Sequence, residues 1–219
     1  MSDTKGRRTK ERILRTAAPL FNRRGYAGPS LSDLMEATGL EKGGIYRHFD
    51  SKDEIALAAF DHTVRMQGEL IRAHMLAARR EPVAQMVAVA EAIASLAENP
   101  AVEGGCPLLN TAVECDDAEG KLYRQLRSRA RREMSRLMDS VKRIVAEGIE
   151  AGELVSAADP EAEASALIAT MEGALMLSKL YNDPAHAQNA VARVRERAES
   201  LRNGRAPQKR AGKIRGEVK

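Results

Sequence analysis

Apolar residues recur at helical spacing along nearly the whole chain. Ile13, Leu14, Ala17, Leu20 and Phe21 share one face of a helix predicted from about Lys10 to Arg24, and Gly25 follows as a stop signal. Ser30 and Asp33 stand at capping-box spacing and open a second helix. Its apolar side is Leu31, Leu34 and Met35, and it ends near Thr38-Gly39. A short third helix covers 41–49. Ser51 and Glu54 make another capping box, opening a long helix to about Arg79 that carries Ile55, Ala58, Ala59, His62 and Met66. Pro82 begins a helix predicted to about Ala97, breakers fill 99–105, and a short helix spans 107–114. Leu122, Leu126, Ala130, Met134, Leu137, Val141 and Ile144 mark a helix over 119–151, stopped by Gly152. Asp159 precedes Pro160 as a cap before a helix reaching Tyr181. Ala187, Val191, Val194, Ala198 and Leu201 repeat at steps of four and three in the last helix. No stretch alternates convincingly as a strand. The expectation is an all-α chain of about nine helices.

Composition agrees. Hydrophobic residues make up 43% and charged residues 30%, the balance of a globular chain. Trp is absent, and the few aromatics disfavour a large β-sandwich. No apolar run approaches the roughly 20 residues of a membrane span. The basic N-terminus lacks an apolar h-region, so no signal peptide and a cytoplasmic location are expected, without a membrane partner. Two cysteines, Cys106 and Cys115, cannot form a disulfide framework, which fits a reducing compartment. The net charge of +4 is unevenly divided. Residues 1–52 carry eleven Lys/Arg against six Asp/Glu, 53–201 carry seventeen against twenty-four, and 202–219 seven against one. Two basic ends on an acidic body suggest a polyanion-binding module joined to something else.

Three short helices in the first fifty residues, the last two joined through Thr38-Gly39-Leu40, form a helix-turn-helix pattern. The third helix presents Lys42, Gly43, Gly44, Tyr46, Arg47 and His48. Polar side chains read a groove, and the glycines let backbone approach phosphate. Lys5, Arg7, Arg8 and Lys10 read as an arm drawn to the DNA backbone or as a solubilising terminus. In order and spacing the segment resembles the TetR family of one-component transcriptional regulators. The resemblance is carried by Arg12-Ile13-Leu14, Ala17-Ala18, Leu20-Phe21, Arg24-Gly25-Tyr26, Ser30-Leu31-Ser32-Asp33-Leu34, Thr38-Gly39-Leu40, Lys42 through Phe49, and Ser51-Lys52. It implies that the third helix enters the major groove. Lys42, Tyr46 and His48 would touch phosphate or base edges and Lys52 a phosphate, while Ser30, beside Ser32 at the second helix's N-terminus, can donate its hydroxyl or backbone N–H to phosphate. Gly44 and Glu41 depart from the family's small hydroxyl or polar residues. The departures keep a protein-interaction adaptor with a DNA-binding-like fold as the alternative function.

The expected organisation is a helix-turn-helix domain over 1–50, a ligand-binding and dimerisation domain over 51–203, and a basic, disordered tail over 204–219. Two stripes are candidate dimer surfaces in a four-helix interface: Leu167, Met171, Ala174 and Ser178, and Ala187, Val191, Val194, Ala198 and Leu201. They could also pack within one chain. His62, Met66, Met86, Met138 and Tyr123 are candidate lining residues of an effector pocket, with ordinary core as the alternative for the methionines. The arginines from Arg124 to Arg136 either bind an anion or form a solvated face. Glu103-Gly104-Gly105-Cys106-Pro107-Leu108 puts Cys106 at a helix N-terminus, where the dipole stabilises a thiolate. It also resembles a TetR subgroup in which some members sense electrophiles through this cysteine, and Lys179 could lie beside it. A buried packing role is the other reading of Cys106. His48, His62, His74 and His186 show no metal spacing. The expected partners are a double-stranded DNA operator, a small-molecule effector and a second copy of the chain, with no cofactor, no metal and no enzymatic activity. The function read from the chain is that of a ligand-responsive repressor, dimeric on a palindromic operator and released by a small-molecule, electrophile or oxidant signal.

Overall fold

The computed structural model describes residues 2–78, 80–100 and 102–204. The basic tail predicted beyond Gly204 lies outside the described residues. Among those residues nine helices follow one another: α1 (Ser2–Arg24), α2 (Leu31–Thr38), α3 (Lys42–Tyr46), α4 (Lys52–Ala77), α5 (Pro82–Glu98), α6 (Pro107–Glu114), α7 (Lys121–Glu150), α8 (Pro160–Tyr181) and α9 (Ala185–Ser200). The only β geometry described is one isolated bridge, Leu154 to Arg202.

Two helix ends differ from the sequence reading. α1 begins at Ser2 rather than near Lys10. Its first turns have no apolar face, so periodicity could not reveal them, but a nucleated helix extends at little cost through polar residues. α3 closes at Tyr46, and the His48 N–H donates to the Ile45 carbonyl at 2.9 Å, tucking Phe49 into the core.

α1 lies along α4, and α5 runs through the centre of the body against α4, α7, α8 and α9. Ile13, Phe21, Leu34, Ile45, Phe49, Ile55 and Phe60 fuse the helix-turn-helix to the start of α4 in one core. Tyr26 is buried at the joint with its ring 6.2 Å from both Phe21 and Phe60. Burial drives its phenol well above the usual tyrosine range, against a hydrogen bond from Thr111 at 3.3 Å. Asp159 caps α8 by accepting from the N–H groups of Glu161 and Ala162 at 2.9 and 3.4 Å. Glu163 on α8 is buried and is held by the Arg197 guanidinium of α9, whose Nε lies 3.1 Å away.

Candidate functional site

The turn between α2 and α3 is built by local chemistry. The Asp33 N–H donates to Ser30 Oγ at 3.1 Å, and the Ser30 N–H and hydroxyl donate back to Asp33 Oδ2 at 2.7 and 2.6 Å. Those bonds, helped by Arg24 at 2.9 Å, hold the Asp33 carboxyl below its ordinary pKa. Gly39 takes φ 65°, a left-handed value that glycine adopts freely, and its N–H closes α2 on the Met35 carbonyl at 2.9 Å. Leu34 and Ile45 are fully buried and lock the two helices together.

This geometry leaves an exposed edge. Lys42, Gly43 and Arg47 are exposed, while Gly44, Tyr46 and His48 are partly so. Lys42 Nζ lies 6.0 Å from the Tyr46 ring centroid, so the two form one protruding unit. A side chain at Gly43 would meet nothing, and one at Gly44 would only touch Leu40 at 3.6 Å. Ser32 is exposed on the first turn of α2.

The structure adds to or changes three expectations on this edge. Ser30 has both its N–H and its hydroxyl committed to Asp33, so it is a cap rather than a phosphate donor. Lys52 spends two of its N–H bonds on the Ala27 and Pro29 carbonyls, each at 3.0 Å, and so braces the loop between α1 and α2. Lys10 is not part of a free arm. It lies 4.7 Å from the Phe49 ring centroid and 3.7 Å from Glu54.

The head is fastened to the body by α6 as well as by α4. Glu114 accepts from the Tyr26 N–H at 2.7 Å and the Ala27 N–H at 3.3 Å. Gly25, at φ 79°, lies so close to that carboxylate that a Cβ would sit 2.9 Å from it. Asn22 donates to the Glu103 and Gly105 carbonyls at 3.0 Å each, and Asn110 donates to the Gly104 carbonyl at 2.9 Å. Sequence reasoning assigned none of these bonds. Asn22, Tyr26 and Ala27 lie more than eighty residues from their partners, so no local signal pairs them, and only the Asn110 bond to Gly104 is local.

Cys106 is the N-cap of α6, as predicted, but not a poised thiolate. It is 3% exposed. Burial, followed by the neighbouring Glu172 carboxyl, pushes its pKa far above the usual thiol range, and the N–H groups of Leu108 and Leu109 oppose this without winning. Its Sγ donates to Glu172 Oε1 at 3.1 Å and receives Gln67 Nε2 at 3.8 Å. Lys179 instead bonds the Gly104 carbonyl at 3.3 Å. It shares with Cys106 a groove that also includes Leu109 and Met176. Cys115 is pushed up to about 11 by burial. Alkylation by iodoacetamide at neutral pH is therefore expected to be slow in the folded protein and fast in urea, because the thiolate is the nucleophile. A native rate equal to the unfolded one would reinstate an exposed, reactive thiol.

Between α4, α6 and α7 lies a cavity of about 590 Å³. Val64, Ile71, Met75, Leu108 and Leu137 line it, with Gln67 and Gly68, and charged residues from α4 and α7 complete it. None of the five residues expected to line an effector pocket does so here. His62 faces a separate surface groove with Arg7, Lys10 and Glu11. Burial and then Arg65, whose Nη2 is 3.2 Å from its Nδ1, hold the His62 pKa down. Met86 is buried in the core, and Met66, Met138 and Tyr123 pack against it. The helix α4 turns Asp61, Arg65, Gly68 and Arg72 to the cavity, leaving His62 and Met66 to one side. Of the α7 arginines, Arg132 and Arg136 line it, whereas Arg127 holds the Cys115 carbonyl at 2.6 Å and Arg129 pairs with Asp61.

Both predicted dimer stripes face inward. Leu167, Met171, Ala174 and Ser178 are 0–6% exposed, as are Ala187, Val194, Ala198 and Leu201, and Val191 is partly buried. They pack α8 and α9 on each other and on α5 within one chain, and the Ala187 N–H donates to Ser178 Oγ at 3.1 Å. The outward face of α8 carries Ala162, Ala166, Ala169, Gly173, Met176 and Leu180, at steps of four and three. Met176 and Leu180 are 52% and 70% exposed, and a Cβ on Gly173 would meet nothing.

Among the described residues no helix is long and apolar enough to cross a membrane, and no cluster of three His, Cys, Asp or Glu could hold a metal.

Residues 13–59 match the profile described as bacterial regulatory proteins, tetR family, and residues 82–194 that described as tetracyclin repressor-like, C-terminal domain. The chain is 30% identical over 179 residues to an uncharacterized HTH-type transcriptional regulator from Lactococcus lactis subsp. lactis, covering 81% of this chain and 86% of that one. It resembles the crystal structure of a TetR transcriptional regulator from Chloroflexus aurantiacus with a TM-score of 0.85 and 39% identity, over 91% of this chain and 98% of that one. Over 46 residues it is 37% identical to the negative transcriptional regulator IcaR of the Staphylococcus epidermidis biofilm operon, a match spanning 21% of this chain and 25% of that one.

Proposed function

Since the chain belongs to the TetR family of bacterial regulatory proteins, which are transcriptional regulators and not enzymes, we propose that it is a dimeric, ligand-released repressor acting in the cytoplasm. Two copies pair through the outward face of α8, flanked by α9. The paired α3 helices then address successive major grooves of a palindromic operator. Lys42, Tyr46, Arg47 and His48 supply the contacts. Ser32 adds a hydroxyl, Gly43 and Gly44 admit backbone close to phosphate, and Lys52 has one N–H bond left for phosphate. An effector in the cavity between α4, α6 and α7 favours a state in which α3 is moved away from groove spacing.

The observation that carries this reading is the double attachment of the head. α4 enters it directly, and α6 holds Tyr26 and Ala27 through Glu114. Both helices line the same cavity. A ligand that wedges them apart therefore acts on the head at two points, and a coupling of about 1–3 kcal/mol changes operator affinity 5–150-fold.

Fluorescence anisotropy with an inverted repeat from upstream of the gene tests it. The repeat should bind at least about 10³-fold tighter than unrelated duplex at the same salt. Lys42→Ala should weaken binding to all sequences and lower the salt slope by about one. Equal affinity for repeat and unrelated duplex would overturn the repressor reading and favour an adaptor.

A further inference from the structure

We propose that the cavity between α4, α6 and α7 is built for a small amphipathic organic anion, lying over Gly68 with its charged head toward Arg72 and Arg136. The proposal rests on the reading of that cavity as the effector site and adds the chemistry of the effector.

Charge is the first argument. Arg65, Arg72, Arg132 and Arg136 line the cavity against only Asp61 and Glu133. The acids are already engaged. Asp61 pairs with Arg129, and Glu133 takes Arg136 at 2.7 and 2.9 Å and Arg132 at 3.5 Å. Arg65 pairs with Glu69 at 2.8 Å. Arg72 is solvent-exposed where it borders the cavity and has no hydrogen-bond or ion-pair partner among the described residues. An unpaired guanidinium at a cavity wall offers a planar fork of donors matched to a carboxylate or sulfonate. A ligand anion would also share Arg136 with Glu133.

Shape is the second argument. Val64, Ile71, Met75, Leu108 and Leu137 form an apolar wall, so the ligand's body is hydrocarbon or aromatic. The volume of about 590 Å³ suits a small molecule.

Gly68 is the third and independent observation. It sits in the middle of α4, where glycine is a poor helix former. A Cβ there would meet no protein atom within 4 Å. Neither packing nor a left-handed backbone asks for glycine at this position. Its effect is an open floor in the cavity, over which a flat or extended ligand can lie against the helix backbone.

Titration calorimetry on the full chain tests the proposal with octanoate and 2-naphthoate against octanol, 2-naphthalenemethanol and octylamine. At least one carboxylate should bind at least tenfold tighter than its alcohol, with octylamine weakest. Arg72→Gln should erase the preference for the anion and leave alcohol binding in place. Gly68→Leu should abolish binding of every probe while unfolding at the same or a higher temperature. An alcohol or the amine binding as tightly as the carboxylates would overturn the anion assignment and leave the effector cavity standing. Binding that survives Gly68→Leu unchanged, or no binding of any probe to the wild type, would overturn both.

Discussion

Replacing Leu180 by glutamate is expected to turn a dimer into a monomer at micromolar concentration, and to weaken operator binding on the order of 100-fold. Leu180 is 70% exposed and Met176 52%. Single exposed apolar residues are ordinary, but these two continue a stripe of Ala162, Ala166, Ala169 and Gly173 on one helix face. Small residues at one end let a second helix approach closely, and the larger ones at the other fill the gap. Burying a leucine contributes about 1.5–3 kcal/mol, and a two-fold axis counts it twice. Glutamate there would bury two unpaired charges instead, and about 1.4 kcal/mol is tenfold in affinity. Leu180 covers little of its own chain, so the monomer should remain folded. Leu167→Ala is the counterpart. It removes a buried side chain within the chain, costs about 2–4 kcal/mol in unfolding, and should leave the dimer intact at temperatures where the chain is folded. Sedimentation equilibrium distinguishes the two variants. A Leu180→Glu protein that stays dimeric places the pairing surface elsewhere.

The pair of stripes shows where sequence reasoning stops. α8 is apolar on more than one side, and steps of three and four describe its inner row as well as its outer one. Periodicity identifies a helix that is covered all round but not which cover comes from its own chain. Only the packing of α5, α7 and α9 on α8, which buries Leu167 and Met171, decides that. The helix-turn-helix was legible because its determinants are local: Ser30 and Asp33 three residues apart, Gly39 at a left-handed turn, and Leu34 and Ile45 one turn either side. The starts of α6 and α8 were equally legible from Pro107 and Pro160. Cys106 was placed correctly at its helix end, but the choice between a reactive thiolate and a buried packing residue was not legible there. The carboxyl and the burial that raise its pKa arrive from α8, 66 residues along the chain. The lining of the cavity between α4, α6 and α7 was not legible for a related reason. The rotation of α4 is set by the helices packed on it, α1 and α5 foremost, and it puts Arg72 rather than His62 beside that cavity. Gly68 was a local signal of that space, a glycine inside a long helix with no turn to make.

Replacing Glu172 by methionine is expected to stabilise the protein by about 1–3 kcal/mol near pH 7, or roughly 2–4 °C in Tm per kcal/mol for a chain of this size. Glu172 is 9% exposed. Oε1 accepts the Cys106 thiol at 3.1 Å, and Oε2 is buried with no partner among the described residues. Burial raises its carboxyl above the ordinary glutamate range, with the thiol hydrogen bond acting in the other direction. The sign of the pH dependence follows. Below the pKa of the unfolded chain, roughly 4.3, both states hold the proton and the group exerts no pH-dependent penalty. As pH rises, the unfolded chain releases the proton while the folded chain keeps it. Stability therefore falls until the raised folded pKa is passed. Methionine cannot titrate and has a similar length, so the variant's advantage should grow from pH 4 to pH 7 and its stability profile should flatten. Urea unfolding at the two pH values measures this, and an advantage that shrinks toward pH 7 would falsify the assignment of a raised pKa. The same variant asks why a costly carboxyl persists between Cys106 and the helix that carries the outer stripe. If Glu172→Met keeps operator affinity but loses release by effector, the group is retained for the response of α6 and α8 rather than for the fold.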